Sequence, residues 1–380
     1  MAEKEKADVG GMAKKEKSRV EILRRIHSFA EGLQKEIEDG DNPHIDIPVR
    51  GSSNVAFDEK NKKIVLGDKV AKRFLFNVSH ARRFMQTMLV ASYVKKDLLE
   101  NNLTATLRDL YYAKKHTIHG TKEDTIDEQK ESDLAIVDFE VSLDTFRERL
   151  HLRAEPKGRM AGDMRIKDFV RDRESRIELG KRGSGGLASP SMVEQIEFID
   201  SGVEYVLVAE KNAIFDRLNE DEYWRKNKCL LMTTAGQAAR GARRLLQRLS
   251  DEMKLPVYCL TDADPYGWYI YSTMKYGSMA LAHESGRLGC KEMKFLGMSI
   301  SDIEHYDLKS VTIKAKEVDI KRAQEMKAYD WFKSKEWQKE IDKFLDKKIK
   351  AEIQSLSSKN LQYISNKYLP EKINAKDFLP

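Results

Sequence analysis

At 380 residues the chain is long enough for two or three domains with cores of their own. Its 68 Lys and Arg against 62 Asp and Glu leave a net charge of +6, a mildly basic balance that admits a nucleic-acid partner without requiring one. Cys229, Cys259 and Cys290 contain no Cys-x-x-Cys pair and so supply neither a disulfide framework nor a zinc site, and no apolar run is long enough to span a bilayer, so the expectation is a cytoplasmic protein with no membrane partner.

Residues 1–18 are rich in Lys and Glu, nearly free of large apolar side chains, and expected to be unstructured. Ile22, Ile26, Phe29, Leu33 and Ile37 then recur at helical spacing, closed by Gly40 and Pro43. That stripe must be covered, either by the rest of the chain or by a second copy of it. Residues 54–57 and 63–66 predict a small hairpin. A helix over 79–100, a turn at Asn101-Asn102 and a second helix from an N-cap at Thr104 to about His116 outline a helix-turn-helix or winged-helix unit.

At 100° per residue, Leu103, Leu107 and Leu110 mark the core side of that second helix, with Tyr111 at its margin. Tyr112 points away, between Arg108 four residues earlier and Lys115 three later. An exposed tyrosine between cations has two readings: a hydrogen-bond donor to a DNA phosphate, or a nucleophile. A free phenol, with a pKa near 10, needs help to attack at neutral pH, and the Arg108 charge favours its phenolate.

The polar segment 116–133 is followed by an amphipathic helix over 131–150. The Pro156-Lys-Gly158 turn, with basic flanks, predicts a wing, and the Gly/Ser-rich stretch 181–190 predicts a linker. From Met192 onward short apolar runs alternate with helical segments, the pattern of a mostly parallel α/β sheet. Two of these runs end in acids: 204–209 in Glu210, and 257–260 in Asp262 and Asp264. Such acids are either helix caps and loop charges or, where two strand ends meet at the carboxyl edge of a sheet, oxygen ligands for Mg2+. The combination of Glu210 with Asp-x-Asp-x-x-Gly favours the metal. Arg240, Arg243 and Arg244 follow small residues at a helix start, a natural place for DNA phosphates. Trp331, Phe332, Trp337, Ile341 and Phe344 form the stripe of a C-terminal helical segment expected to fold over the sheet. No phosphate-binding nucleotide loop occurs.

Taken together, Leu107-Arg-Asp-Leu-Tyr-Tyr112, Val208-Ala-Glu210, Gly236-Gln-Ala-Ala-Arg-Gly-Ala-Arg-Arg244 and Thr261-Asp-Ala-Asp-Pro-Tyr-Gly267 resemble the motifs of the A subunits of type IIB DNA topoisomerases and of the related meiotic double-strand-break transesterases. The likeness runs from about Phe74 to Tyr368; Ala238 stands where a proline is more usual. The resemblance implies a catabolite-activator-like winged-helix domain followed by a Toprim parallel α/β domain with C-terminal helical elaboration. The expected division is 1–70 for the N-terminal extension, 71–180 for the winged-helix domain and 190–380 for the Toprim domain. It further implies that Tyr112, aided by Arg108, attacks a phosphodiester of double-stranded DNA to leave a 5′-phosphotyrosyl break, and that Glu210, Asp262 and Asp264 hold Mg2+. It also implies a homodimer in which the tyrosine of one copy meets the acids of the other. ATP is then used by a separate GHKL-type ATPase B subunit in an A2B2 heterotetramer, on nucleoid DNA. The alternatives are a meiotic-type transesterase without strand passage, a non-catalytic winged-helix DNA-binding protein, and a Toprim nuclease or primase.

Overall fold

The computed structural model of the protein describes residues 2–170 and 173–380, with side chains from Lys17 onward except at 170–172 and 200. It divides into two compact units, residues 1–54 with 66–155 and residues 55–65 with 156–380.

The first unit opens with α1 (Ala2–Glu38), which extends back through residues expected to be unstructured. Ala, Glu and Lys are strong helix formers, and here that local preference outweighs the shortage of apolar side chains. The stripe of α1 is covered within this unit except at Ile37, which is exposed: Ile22 and Ile26 share a cluster with Val90, Leu110, Ile136 and Phe139, and Leu33 sits with Ile45, Ile47 and Phe84. After β1 (His44–Pro48) comes the expected hairpin of β2 (Val55–Asp58) and β3 (Lys63–Leu66), most of which groups with the second unit. β4 (Val70–Phe74) then returns to pair antiparallel with β1.

α2 (Val78–Tyr93) runs on as a π-helical turn to Leu99, as the long expected helix requires. β5 (Ala105–Thr106) precedes α3 (Leu107–Lys114), so the N-cap is Thr106 rather than Thr104. α4 (Gln129–Ser142) stops short of the expected 150; turns carry Leu150 back to the core, and β6 (Leu152–Arg153) pairs with β5.

The second unit is built on a six-stranded sheet. Its strands are β7 (Arg159–Ala161), β10 (Leu187–Ala188), β12 (Tyr205–Ala209), β13 (Cys229–Thr233), β14 (Val257–Leu260) and β15 (Lys294–Gly297). Their order is β10-β7-β13-β12-β14-β15; the last four run parallel, β7 pairs antiparallel with β13, and β10 pairs antiparallel with β7. A second, antiparallel sheet joins β8 (Met164–Val170), β9 (Arg173–Glu178) and β11 (Glu197–Ser201). The crossover helices are α5 (Asn212–Glu220), the short α6 (Tyr223–Lys226), α7 (Arg240–Glu252) and α8 (Pro265–Tyr276).

Two sequence expectations change here. The segment read as a wing supplies β7, and Gly158 lies so close to the end of β13 that a Cβ would stand 2.1 Å from the Thr233 carbonyl oxygen. The stretch read as a linker is pinned as well, since Leu187 and Ala188 pair with Met160 and Arg159. Glycine-rich composition marks close backbone approach as readily as it marks free chain. The C-terminal expectation holds: Phe332, Trp337, Ile341 and Phe344 are buried in one cluster with Trp268, Tyr271 and Phe295. Among the described residues no helix is long and apolar enough to cross a membrane.

Candidate active site

A reciprocal cap starts α3. Thr106 Oγ1 accepts the Asp109 N–H at 3.1 Å, and Asp109 Oδ2 accepts the Thr106 N–H at 2.7 Å. With the start fixed, the 3.6-residue period does the rest: Leu110 is fully buried and Tyr112 is 65% exposed. Arg108, one turn before it, is exposed too, whereas Leu103 lies outside the helix and on the surface. Tyr111 is half-buried and tethered, its hydroxyl donating to the Asp127 carbonyl at 3.1 Å, with its ring 4.9 Å from that of Tyr112.

Lys115 does not flank Tyr112 as expected. The helix ends at Lys114 and Lys115 is extended, so the helical spacing no longer applies to it. Its ammonium donates to Tyr111 Oη at 3.2 Å and to the Asp127 carbonyl at 3.1 Å, with Asp124 3.7 Å away. The cation beside Tyr112 in α3 is therefore Arg108.

In the second unit β12 and β14 are parallel neighbours, which brings Glu210 and Asp262 to the same edge of the sheet. The Glu210 N–H donates to the Leu260 carbonyl at 3.0 Å, locking the two strand ends together. Asp264 caps α8, its Oδ1 accepting the Gly267 N–H at 2.8 Å. A Cβ on Gly267 would lie 2.6 Å from Thr261 Oγ1 and 2.7 Å from the Asp262 carbonyl oxygen, so this turn needs glycine. The cap and ligand readings of Asp264 thus coexist, because capping engages one oxygen and leaves the other facing Lys350 at 4.0 Å.

Glu210 Oε2 is buried and has no hydrogen-bond partner among the described residues. Burial, followed by the charges of Asp262 and Asp264, pushes the Glu210 carboxyl up to about 7. Burial also raises Asp264 above the ordinary carboxylate range. A buried carboxylate oxygen without a donor, beside two neighbouring anions, fits a hard divalent cation. The three carboxylates nonetheless do not offer oxygens that all lie within 4.8 Å of one another. Beside them stands Lys211, a residue the sequence reading passed over, whose ammonium lies 2.7 Å from Asp262 Oδ2. The signal lay in the residue next to Glu210.

Two of the three arginines, Arg240 and Arg243, are buried rather than on a surface. Arg240 is buried against Glu284 at 2.6 Å. Arg243 is 2% exposed, burial lowers its guanidinium to about 10, and its Nε and Nη2 find no hydrogen-bond partner among the described residues. Arg244 pairs with Glu194 at 2.5 Å. Positions 240, 243 and 244 share one helical face, of which Arg240 and Arg243 are buried and Arg244 lies at the margin.

Comparison with known proteins bears on both regions. A family model described as type IIB DNA topoisomerase matches residues 82–152, which contain Arg108 and Tyr112. A model of the Toprim domain of the topoisomerase 6 A subunit and Spo11 matches residues 205–373, which contain the three acids. The A subunit of type 2 DNA topoisomerase 6 from Pyrococcus abyssi is 43% identical over 369 residues, covering 94% of this chain and 95% of its own. Its counterpart from Hyperthermus butylicus is 44% identical over 364 residues, covering 91% and 93%. At greater distance, that of Methanocaldococcus jannaschii is 34% identical over 353 residues, covering 92% and 93%.

Proposed function

The chain belongs to the family of topoisomerase 6 A subunits and Spo11, and on that premise we propose that Tyr112 is the nucleophile with which it cuts and rejoins both strands of duplex DNA. It is the DNA-cleaving subunit of a type IIB DNA topoisomerase. The observation that carries the assignment is the division of labour between adjacent tyrosines. Tyr111 is tethered and half-buried, while Tyr112 is 65% exposed one turn beyond an exposed arginine.

In the cut the phenol oxygen of Tyr112 bonds to phosphorus, and the bond from phosphorus to the 3′-oxygen breaks. The phenol gives up a proton and the departing 3′-oxygen takes one, leaving a 5′-phosphotyrosyl link and a 3′-hydroxyl. One phosphoester is made for each one broken, so resealing needs no outside energy. Arg108 offsets the negative charge that spreads over the phosphoryl oxygens. Glu210, Asp262 and Asp264 would hold Mg2+, which supplies positive charge to the scissile phosphate and the 3′-oxygen.

Around this chemistry, α2, the turn at 101–104 and α3 serve as the helix-turn-helix core of a catabolite-activator-like winged-helix domain. Two copies of the chain make the two cuts. Directed passage of a second duplex through the gap does require energy, and the sequence holds no nucleotide-binding loop. ATP is therefore used by a GHKL-type B subunit in an A2B2 assembly. The names of the relatives favour this reading over the meiotic transesterase.

The test is covalent trapping. The chain, with its B subunit, nucleotide, Mg2+ and supercoiled plasmid, is quenched in denaturant. The wild type is expected to leave protein on the 5′ ends, and Tyr112→Phe none, with DNA binding retained. An adduct formed by the Phe variant would end the assignment.

A further inference from the structure

Lys211 follows Glu210 directly, at the end of β12, and its ammonium has three acceptors. Nζ lies 2.7 Å from Asp262 Oδ2, 3.0 Å from Glu352 Oε2 and 3.2 Å from Gln354 Oε1. The last two belong to a short strap that is bonded to the Asp-x-Asp turn. The Ala263 N–H donates to the Ala351 carbonyl at 2.9 Å, and the Ile353 N–H donates to Asp262 Oδ1 at 2.9 Å. Lys350, at the start of the strap, is anchored at 2.9 Å on Asp319.

An ammonium at 2.7 Å from a carboxylate oxygen sits where a divalent ion bound to that oxygen would have to sit. Two cations do not share such a position, because their repulsion rises as the surroundings exclude water. An ammonium has three rotatable donors on a flexible stem, and Glu352 and Gln354 already lie within hydrogen-bond reach of Nζ. Asp262 would keep its orientation through the exchange, since the Ile353 N–H holds the other oxygen.

Building on the metal-site reading above, we infer that Lys211 is a positioning residue: it is the resident counter-ion of Asp262, and it yields that oxygen to the incoming metal by withdrawing onto Glu352 and Gln354. Lysine and metal then compete for Asp262, and the strap sets the balance by giving the displaced ammonium a place to go.

The full chain, titrated calorimetrically with Mn2+ as the probe, reads this directly. With the competing ammonium gone, and two cations at one carboxylate oxygen repelling by more than about 1 kcal/mol, Lys211→Met should bind Mn2+ at least about tenfold more tightly than wild type. Glu352→Gln removes the charged resting place and should bind Mn2+ a few-fold more weakly. In the Lys211→Met/Glu352→Gln double variant that second effect should vanish, because no ammonium is left to displace. If Lys211→Met binds no more tightly than wild type, or if Glu352→Gln weakens binding equally with and without Lys211, the inference falls while the metal site stands. If wild type binds no Mn2+, or Asp264→Asn binds it as tightly as wild type, the metal-site reading falls and the inference with it.

Discussion

Glu210 illustrates how burial and charge convert an ordinary carboxylate into one that holds its proton toward neutral pH. Its carboxyl is raised from the usual 4.5 to about 7, by burial first and then by Asp262 and Asp264. Between those two values the folded chain holds more protons than the unfolded one, so the stability of the metal-free protein falls as pH rises through that window. In the presence of a chelator, Glu210→Gln should therefore melt above wild type, by a margin that grows from about pH 5 to about pH 7 and is constant above it. Differential scanning calorimetry across that range measures it, and a margin independent of pH would contradict the arrangement. Divalent-ion affinity of the wild type should rise over the same window, because the ligand must be deprotonated. At this scale the acids were legible in the sequence, since each ends a short apolar run. The lysine contact was not. Neighbourhood along the chain does not report side-chain direction, and Ile353, which orients Asp262, lies 91 residues away. The partners of the arginines were hidden for a related reason: a run of cations at a helix start looks the same whether or not Arg240 and Arg244 pair, as here, with Glu284 and Glu194.

Among elements, α3 is short, eight residues, and so depends on its ends. The Thr106–Asp109 reciprocal cap satisfies two backbone donors and sets which residues face the core. Losing a Thr cap costs about 1 kcal/mol. Thr106→Ala should lower stability by about that amount in a denaturant titration. It should also reduce DNA cleavage more than its stability loss explains, because Tyr112 is then presented on a fraying helix. Thr106→Ser should restore both, and equal cleavage by the Ala and Ser variants would remove the cap from the mechanism. The parallel strands of the second unit were readable because they are buried on both faces and appear as apolar runs. The β8–β9–β11 sheet was not. All but one of the residues of β9 from Arg173 to Glu178 are exposed, so no apolar period marks it. The β1–β4 pair escaped as well, because only Ile45 and Ile47 on β1 alternate inward and the first three residues of β4 are exposed.

For the whole molecule, the decisive fact is that the tyrosine and the acids fall in different compact units, Tyr112 in the first and Glu210, Asp262 and Asp264 in the second. A reaction needing both has two routes: one chain supplies both groups, or each of two chains supplies one. The proposed dimer takes the second route, and a mixed dimer separates them. Let one copy carry Tyr112→Phe with intact acids, and the other carry Asp264→Asn with an intact tyrosine. If groups act within a chain, one site lacks its nucleophile and the other lacks a metal ligand, so no DNA is cut. If they act across the dimer, the intact tyrosine meets the intact acids at one site, while both defects fall together at the other. The mixed dimer should then break a single strand and leave one covalent adduct, whereas homodimers of either variant leave little or none. Purification through two different affinity tags isolates the mixed species, and denaturing gels distinguish nicked from linear plasmid. Nicking establishes the shared site; the absence of any adduct would return the chemistry to a single chain.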